Sequence, residues 1–295
     1  MTEPDLLVDT HNDLSSSVET FDGRFVARQP VSHGADTSTG IVQRLRTQKV
    51  NVTDPDTGEV YTEDVPVISG NSLRGQLRDL LATDFLERIS ESDPIELHDP
   101  LFNTFYSGGT LQREAGPAKI KRRMIQDVRE YIPPLSLLGS AVGSQLFDGR
   151  LDMGNLWPVC LETRDITGID DHRPVYGAYV DSTFYTRSDD REGGRQGDET
   201  VQQMRYRVHV LTPGTPFAHT MALRGASDIE RACLGHAFDL FAEQPTIGGM
   251  SARGHGLVDF EYDDALPDAD LYLEYIADNR DEIRAFVEET DEKIA

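Results

Sequence analysis

Two glycine-and-arginine stretches, each beside an amphipathic helical pattern, constrain this chain more than any other feature. The first is Val65-Pro-Val-Ile-Ser-Gly-Asn-Ser-Leu-Arg-Gly75, which runs into Leu73, Leu77, Leu80, Leu81 and Phe85 at i, i+4, i+7 and i+8 spacing. The second is Ile247-Gly-Gly-Met-Ser-Ala-Arg-Gly-His-Gly256, which follows a helical pattern over Asp228–Glu243 and precedes a strand over Leu257–Tyr262. With strand patterns at Phe21–Val31, Ile41–Val52, Leu151–Leu161, Tyr206–Leu211 and Phe217–Leu223, the order reads β-β-α … β-β-α-β. An α+β fold is expected, a modified ferredoxin-like or RRM-like core in which two strand–helix halves each carry a glycine-rich loop.

The remaining segments read as insertions in a single domain spanning 1–295. Residues of about 95–130 form one, and 162–204, rich in Gly, Asp and Arg, form a second. Leu135–Gly149 reads as a small-residue helix. Residues 263–295 read as an acidic amphipathic C-terminal helix over Leu271–Thr290. Asn71 or Ser72 is expected to cap the helix after the first glycine turn.

Charge narrows the chemistry. The chain has 52 acidic and 28 basic residues, a formal net charge of −24, and its only lysines are Lys49, Lys119, Lys121 and Lys293. An acid-rich, lysine-poor surface of this kind is expected of a halophilic protein. Half of the excess lies between Asp259 and Glu292, where fourteen acids face two arginines. Basic islands remain, one at Arg44, Arg46 and Lys49, another running from Arg113 through Lys121, Arg122 and Arg123 to Arg129. Such islands hold nucleic acid locally against the global sign, with contacts that salt weakens.

No run approaches the ~20 apolar residues of a membrane span, so no membrane partner is expected. The first residues, Met1-Thr-Glu-Pro-Asp5, carry no basic or apolar run, which leads to the expectation of a cytoplasmic chain without a secretory signal. Cys160 and Cys233 alone, with no Cys-x-x-Cys, argue against a disulfide framework or zinc. The eight histidines show no metal-ligand spacing with carboxylates. No cofactor and no metal are expected.

Each motif has two readings. A glycine turn entering a helix at Ser69, Gly70, Asn71 and Ser72 presents amides and a positive dipole end, with Arg74 and Arg78 adding guanidinium forks for phosphate. An ordinary capped helix with solvated arginines explains the same residues. Four glycines in nine residues let the backbone at Gly248, Gly249, Met250, Ser251, Arg253 and Gly254 lie against a ligand. A wide turn between helix and strand does so too. Asp36, beside His33 and near Arg44, is either a general base or metal ligand, or a solvated loop carboxylate.

In order along the chain, His33-Gly34, Val65–Gly75, Val210-Leu-Thr-Pro-Gly-Thr-Pro-Phe217 and Ile247–Gly256 resemble the RAMP superfamily. The resemblance covers about residues 25–262 and is to the repeated backbone subunit of CRISPR effector complexes, of type III or type IV flavour, with the type I-D equivalent open. It implies an RRM-like palm, a β-hairpin thumb at 162–204, and copies stacked along a guide RNA within an antiviral or anti-plasmid interference complex. The implied partners are the CRISPR guide RNA, a complementary target nucleic acid, further copies of the chain and other effector subunits.

Implied RNA contacts are His33, Gly34, Arg44, Arg46, Lys49, Ser69–Ser72, Arg74, Arg78, Lys121, Arg122, Arg123 and the Gly248–Gly254 loop. Tyr176, Tyr179, Phe184 and Tyr185 are stacking candidates. Cleaving relatives place an Asp where this chain reads Thr39-Gly-Ile-Val-Gln-Arg-Leu-Arg46, without an acid. The expectation is therefore binding without RNA cleavage. The alternatives are a metal-dependent endoribonuclease using Asp36, and an unrelated acidic halophilic protein whose glycines only make turns.

Overall fold

The computed structural model describes residues 18–35, 42–90, 93–109, 122–142, 145–169, 174–187 and 204–295. Of Arg122, Arg123, Gln145, Thr186, Arg187, Met204 and Arg205 it describes the backbone alone. Asp36 and Lys121 lie outside the described residues, as does the Arg113–Lys119 part of the basic segment.

Strand β1 (Val18–Ala27) alternates strictly: Phe21, Gly23, Phe25 and Ala27 are buried, while Asp22, Arg24 and Val26 are exposed. It pairs antiparallel with β11 (Pro216–Arg224) on one side and β12 (Val258–Tyr262) on the other. On the far edge of β11 lie two short strands, β7 (Leu151–Met153) and β8 (Trp157–Pro158). Helix α1 (Gly70–Ser90) lies between β1 and β7 in the chain, and α6 (Asp228–Glu243) between β11 and β12. The sheet order β12-β1-β11-β7 interleaves two split β-α-β units in an α+β fold.

Both helices cover the buried sheet face and touch each other. Leu73, Leu77, Leu81 and Phe85 of α1 join Ala232, Cys233, Ala237 and Phe241 of α6 in one core with Phe21, Phe25, Phe217 and Met221. The α6 helix starts with a capping box, Ser227 Oγ accepting from Glu230 N–H and Glu230 accepting from Ser227 N–H.

Between β1 and α1 the chain inserts β2 (Val42–Gln43) and a hairpin of β3 (Thr47–Thr53) and β4 (Val60–Pro66). Its buried Val50, Val52 and Val65 form a satellite core with Cys160, against Trp157, Tyr176 and Tyr179. Helices α2 (Asp99–Tyr106), α3 (Arg122–Tyr131) and α4 (Pro133–Leu138) and a small hairpin, β5 (Ser140–Val142) with β6 (Gln145–Phe147), separate α1 from β7. After a one-turn helix α5 (Arg164–Thr167), β9 (Val180–Arg187) and β10 (Met204–Leu211) pair antiparallel, and β2 joins the other edge of β10 in parallel. No helix among the described residues is long and apolar enough to cross a membrane.

Three sequence expectations differ from the structure. Leu135–Gly149 is a short helix and a hairpin, because Gly139 takes φ +66° and a Cβ there would meet Gly149 N at 2.3 Å. Leu151–Leu161 breaks between β7 and β8, where Gly154 and Asn155 turn toward α1. The C-terminal pattern is two helices, α7 (Asp270–Asp278) and α8 (Arg280–Ile294). At their junction Asn279 donates its side-chain amide to the Tyr275 carbonyl at 2.8 Å, a local bond that competes with helix continuation. Tyr272, Ile276, Ile283 and Val287 bury the inner face of this pair in the main core.

Two glycines in the helices separate packing from propensity. A Cβ on Gly235 would lie 2.0 Å from the Pro267 carbonyl oxygen, whereas one on Gly75 meets nothing within 4 Å. Gly235→Ala is expected to destabilise by about 1–3 kcal/mol and Gly75→Ala to stabilise by roughly 0.5–1 kcal/mol, read by denaturant unfolding.

Burial also holds the His219 imidazole neutral, its pKa pushed down to about 4, with Nδ1 2.8 Å from the Tyr262 hydroxyl. Below pH ~6.5 the unfolded chain binds a proton that the folded chain refuses, so stability falls as pH drops from ~6.5 to ~4. This site contributes about 3 kcal/mol of that loss, which His219→Gln should remove. An equal loss in both proteins over that window would refute the assignment.

Candidate nucleic-acid interface

Three loops meet at one end of the sheet. His33–Ala35 runs beside Arg44–Arg46: Ala35 N–H donates to the Arg44 carbonyl at 2.9 Å, and Arg46 N–H to the His33 carbonyl at 2.7 Å. On the other side of the same strand-like segment, Gly249 N–H donates to the Ser32 carbonyl at 2.6 Å, and Gly256 N–H to the Pro30 carbonyl at 2.9 Å. The structure thus brings together His33, Gly34, Arg44, Arg46 and the Gly248–Gly254 loop, residues more than 200 positions apart. Arg44, Gly249, Ser251, Arg253 and Gly254 are exposed.

The geometry of the glycine loop explains its composition. Ile247 N–H bonds the Gly256 carbonyl at 2.9 Å and closes the neck. Gly248 takes φ +76°, and a Cβ there would meet the Ser32 carbonyl oxygen at 2.4 Å. Met250, at φ +65°, is the one non-glycine with positive φ among the described residues, a conformation that concentrates at functional sites. Ser251–Arg253 forms a single 3-10 turn that carries Arg253 outward.

The loop is fastened to the antiparallel β9–β10 pair. His255, buried at 3% exposure, hydrogen-bonds through Nε2 to the Tyr185 hydroxyl. The Arg253 guanidinium sits 5.1 Å over the Tyr185 ring centroid. Burial, helped by the Arg253 charge, lowers the His255 pKa, so the imidazole is held neutral and leaves Arg253 as the cation. Stacking on Tyr185 limits the rotamers of Arg253 before any ligand arrives.

The α1 start is built differently from its sequence reading. Its amides are already engaged: Ser69 N–H with His33 Nε2 at 3.3 Å, Gly70 N–H with Asn155 Oδ1 at 2.9 Å, and Ser72 N–H with Ser69 Oγ at 3.2 Å. Ser69, rather than Asn71 or Ser72, is the cap. Gly70 is required because a Cβ would lie 2.3 Å from the carbonyl oxygens of Met153 and Gly154. These protein acceptors occupy three of the four amides, at Ser69, Gly70 and Ser72, that were expected to meet phosphate.

Arg78 is likewise inside, at 8% exposure, its Nη2 donating to the Leu138 and Gly139 carbonyls at 3.2 and 2.8 Å. Burial, reinforced by the neighbouring Arg74 charge, pulls its pKa down to about 10. Arg74 donates to the same Leu138 carbonyl and lines, with Asn71, Gly75 and Arg224, a cleft of about 710 Å³. Arg74 is half-buried and Asn71 exposed, and both line this cleft, which no residue of the glycine loop lines.

Lys49 is exposed on β3, cross-strand from Asp64. Arg122 and Arg123 begin α3, with side chains outside the description. No group of three or more His, Cys, Asp or Glu able to hold a metal occurs among the described residues. The open sheet face presents Asp22, Arg24, Thr220, Asp259 and Glu261, and half-buried Trp157 stands opposite Ala218 on the same face. Sequence reasoning missed Asn155, which has no motif of its own, and the coupling of Tyr185 to His255.

No family model matches the sequence, and no curated protein matches it. Among solved structures the chain is similar to a chain of a type IV-B CRISPR complex, with a TM-score of 0.60 at 19% identity. The alignment covers 88% of this chain and 98% of that one. The α+β fold is thus shared with a chain of a type IV-B CRISPR complex.

Replacing Arg78 by Met removes the guanidinium donor to the Gly139 carbonyl and one of two to the Leu138 carbonyl, and is expected to cost about 1–3 kcal/mol of stability. Arg253→Ala, at an exposed position, should stay within about 0.5 kcal/mol of the parent by the same unfolding assay. Equal losses in the two variants would contradict this division between structural and surface arginines.

Proposed function

We propose that this chain is a guide-RNA-binding backbone subunit of a CRISPR effector complex, polymerising along the RNA with further copies of itself and joining other effector subunits. The observation that carries the reading is the convergence of His33, Gly34, Arg44, Arg46 and the Gly248–Gly254 loop on one surface of a fold shared with a type IV-B CRISPR complex chain. Exposed loop backbone and preorganised guanidinium suit the phosphodiester backbone of single-stranded RNA, which needs no base-specific contact. Guide recognition of that kind leaves the bases for pairing with a complementary target.

RNA cleavage is not part of the proposal. The Thr39–Arg46 stretch carries no acid, and Arg44 and Arg46 put positive charge where metal-dependent hydrolysis needs carboxylates. In this assignment Arg78 and the α1 amides belong to the support rather than to the RNA surface.

Purification in molar salt followed by sequencing of bound nucleic acid is expected to return CRISPR-derived RNAs of uniform length on a particle several times the monomer mass. With a defined RNA, the double variant Arg44→Ala/Arg253→Ala should weaken binding and reduce the slope of log K against log [salt] by about 1.4, about 0.7 per lost single-strand phosphate contact. An unchanged slope would exclude these arginines from the interface.

A further inference from the structure

The cleft of about 710 Å³ beside the start of α1 is left unused by the loop surface. Three guanidiniums line it, those of Arg74, Arg78 and Arg224, against the carboxylates of Asp148 and Asp152. Arg224 is ion-paired with Asp152. Arg74 and Arg78 form no ion pair among the described residues and donate only to the Leu138 and Gly139 carbonyls. Arg78 keeps its Nη1 buried without an acceptor, and Arg74 its Nε. Two neighbouring guanidiniums, taken out of water with no counter-charge, carry a desolvation cost that a bound carboxylate would offset. One lip of the cleft is apolar: Leu146 is 68% exposed, and Tyr106 packs against Phe102 with ring centroids 4.6 Å apart.

Helix α7 offers the complement. Asp270, Glu274 and Asp278 are exposed at i, i+4 and i+8, and Leu271, 46% exposed, lies three residues before Glu274. No basic residue occurs in Asp270–Asp278. We infer that the arginine cleft of one copy receives the acidic edge of α7 from a second copy, Glu274 and Asp278 meeting Arg74 and Arg78 while Leu271 meets the Leu146–Tyr106 lip.

The inference rests on the reading that copies assemble along RNA, and it names the surfaces they use. A copy's own α7 does not fill its cleft, because buried Tyr272 and Ile276 hold that helix in the core and none of its residues lines the cleft. Copies that each carry a formal charge of −24 repel one another, so their association needs a local match of opposite charge at the contact. Cleft and α7 are different patches of one chain, which makes the contact heterologous, the head-to-tail kind from which a polymer is built.

The test uses the full chain loaded with RNA in molar salt and reads particle mass by sedimentation. Arg74→Glu and Glu274→Arg each set like charges across the contact. Each is expected to raise the dissociation constant between copies at least about tenfold and to leave single copies on RNA. Mixing the two variants should restore the parent's particle mass, because every cleft then finds an α7 edge of opposite sign. Glu274 is exposed, so its variant is expected to unfold at the parent's midpoint. If Arg74→Glu lowers that midpoint, Arg224→Glu, exposed at the cleft, takes its place in the mixture.

Parent-sized particles from both single variants would overturn the cleft contact and leave the assembly reading standing. Assembly lost in both and not regained on mixing would overturn the direct pairing of these charges. A parent that binds RNA only as single copies would overturn the assembly reading and this inference together.

Discussion

Close approach of one backbone to another, at positions where no side chain fits, sets the geometry on which the rest of this protein depends. Gly248 lies against the Ser32 carbonyl, Gly70 against Met153 and Gly154, and Gly235 against Pro267. Each contact joins segments distant in the chain, and each fixes an element that carries other features. The Gly248 contact holds the glycine loop beside the His33 segment. The Gly70 contact seats α1 on the bulge between β7 and β8, and the Gly235 contact brings the chain before α7 onto α6. A Cβ at any of these would displace a whole element rather than one side chain.

The elements that were legible in the sequence are those whose burial pattern is local. β1, β11 and β12 each bury one parity and α1 one stripe, so periodicity places them, while α6 is buried over Ala232–Phe238 and starts at a local capping box. Elements whose geometry is decided by remote contacts were not legible. Gly139 ends α4 by meeting Gly149, and no window over 135–149 reveals that two glycines ten residues apart will touch. Asn279 divides the C-terminal helices by a side-chain bond that leaves the hydrophobic rhythm almost undisturbed. The candidate site was legible in part for the same reason. Glycine and arginine mark where backbone and charge are concentrated, and the loop surface contains several of those residues. Their spelling does not distinguish a glycine that approaches a ligand from one that approaches its own chain, as Gly70 does.

Arginines divide along the same line. Arg78 and Arg253 belong to similar glycine-rich motifs, yet one caps carbonyls inside the core and the other stacks on Tyr185 at the surface. What separates them is the chain they face: α1 lies against the α4–β5 turn, whose carbonyls lack helix partners, whereas the glycine loop projects beyond the sheet. Motif and role part company wherever a neighbouring element has unsatisfied acceptors to offer.

The acidity of the chain bears on how any polyanion is held. With a formal charge of −24, long-range electrostatic repulsion opposes the approach of RNA, and added salt screens that repulsion along with the favourable contacts. At molar ionic strength the Debye length contracts to about 3 Å, so only groups in direct contact still contribute. A surface made of exposed loop backbone, a guanidinium already stacked in place and an exposed aromatic ring is of that short-range kind. Stacking and hydrogen bonding fall off with contact rather than with ionic strength, and a preorganised side chain loses little freedom on binding. An acidic protein that binds RNA is therefore expected to rely on a few such groups, of the kind that Arg44, Arg207, Phe184 and the glycine loop offer, rather than on lysines spread over its surface.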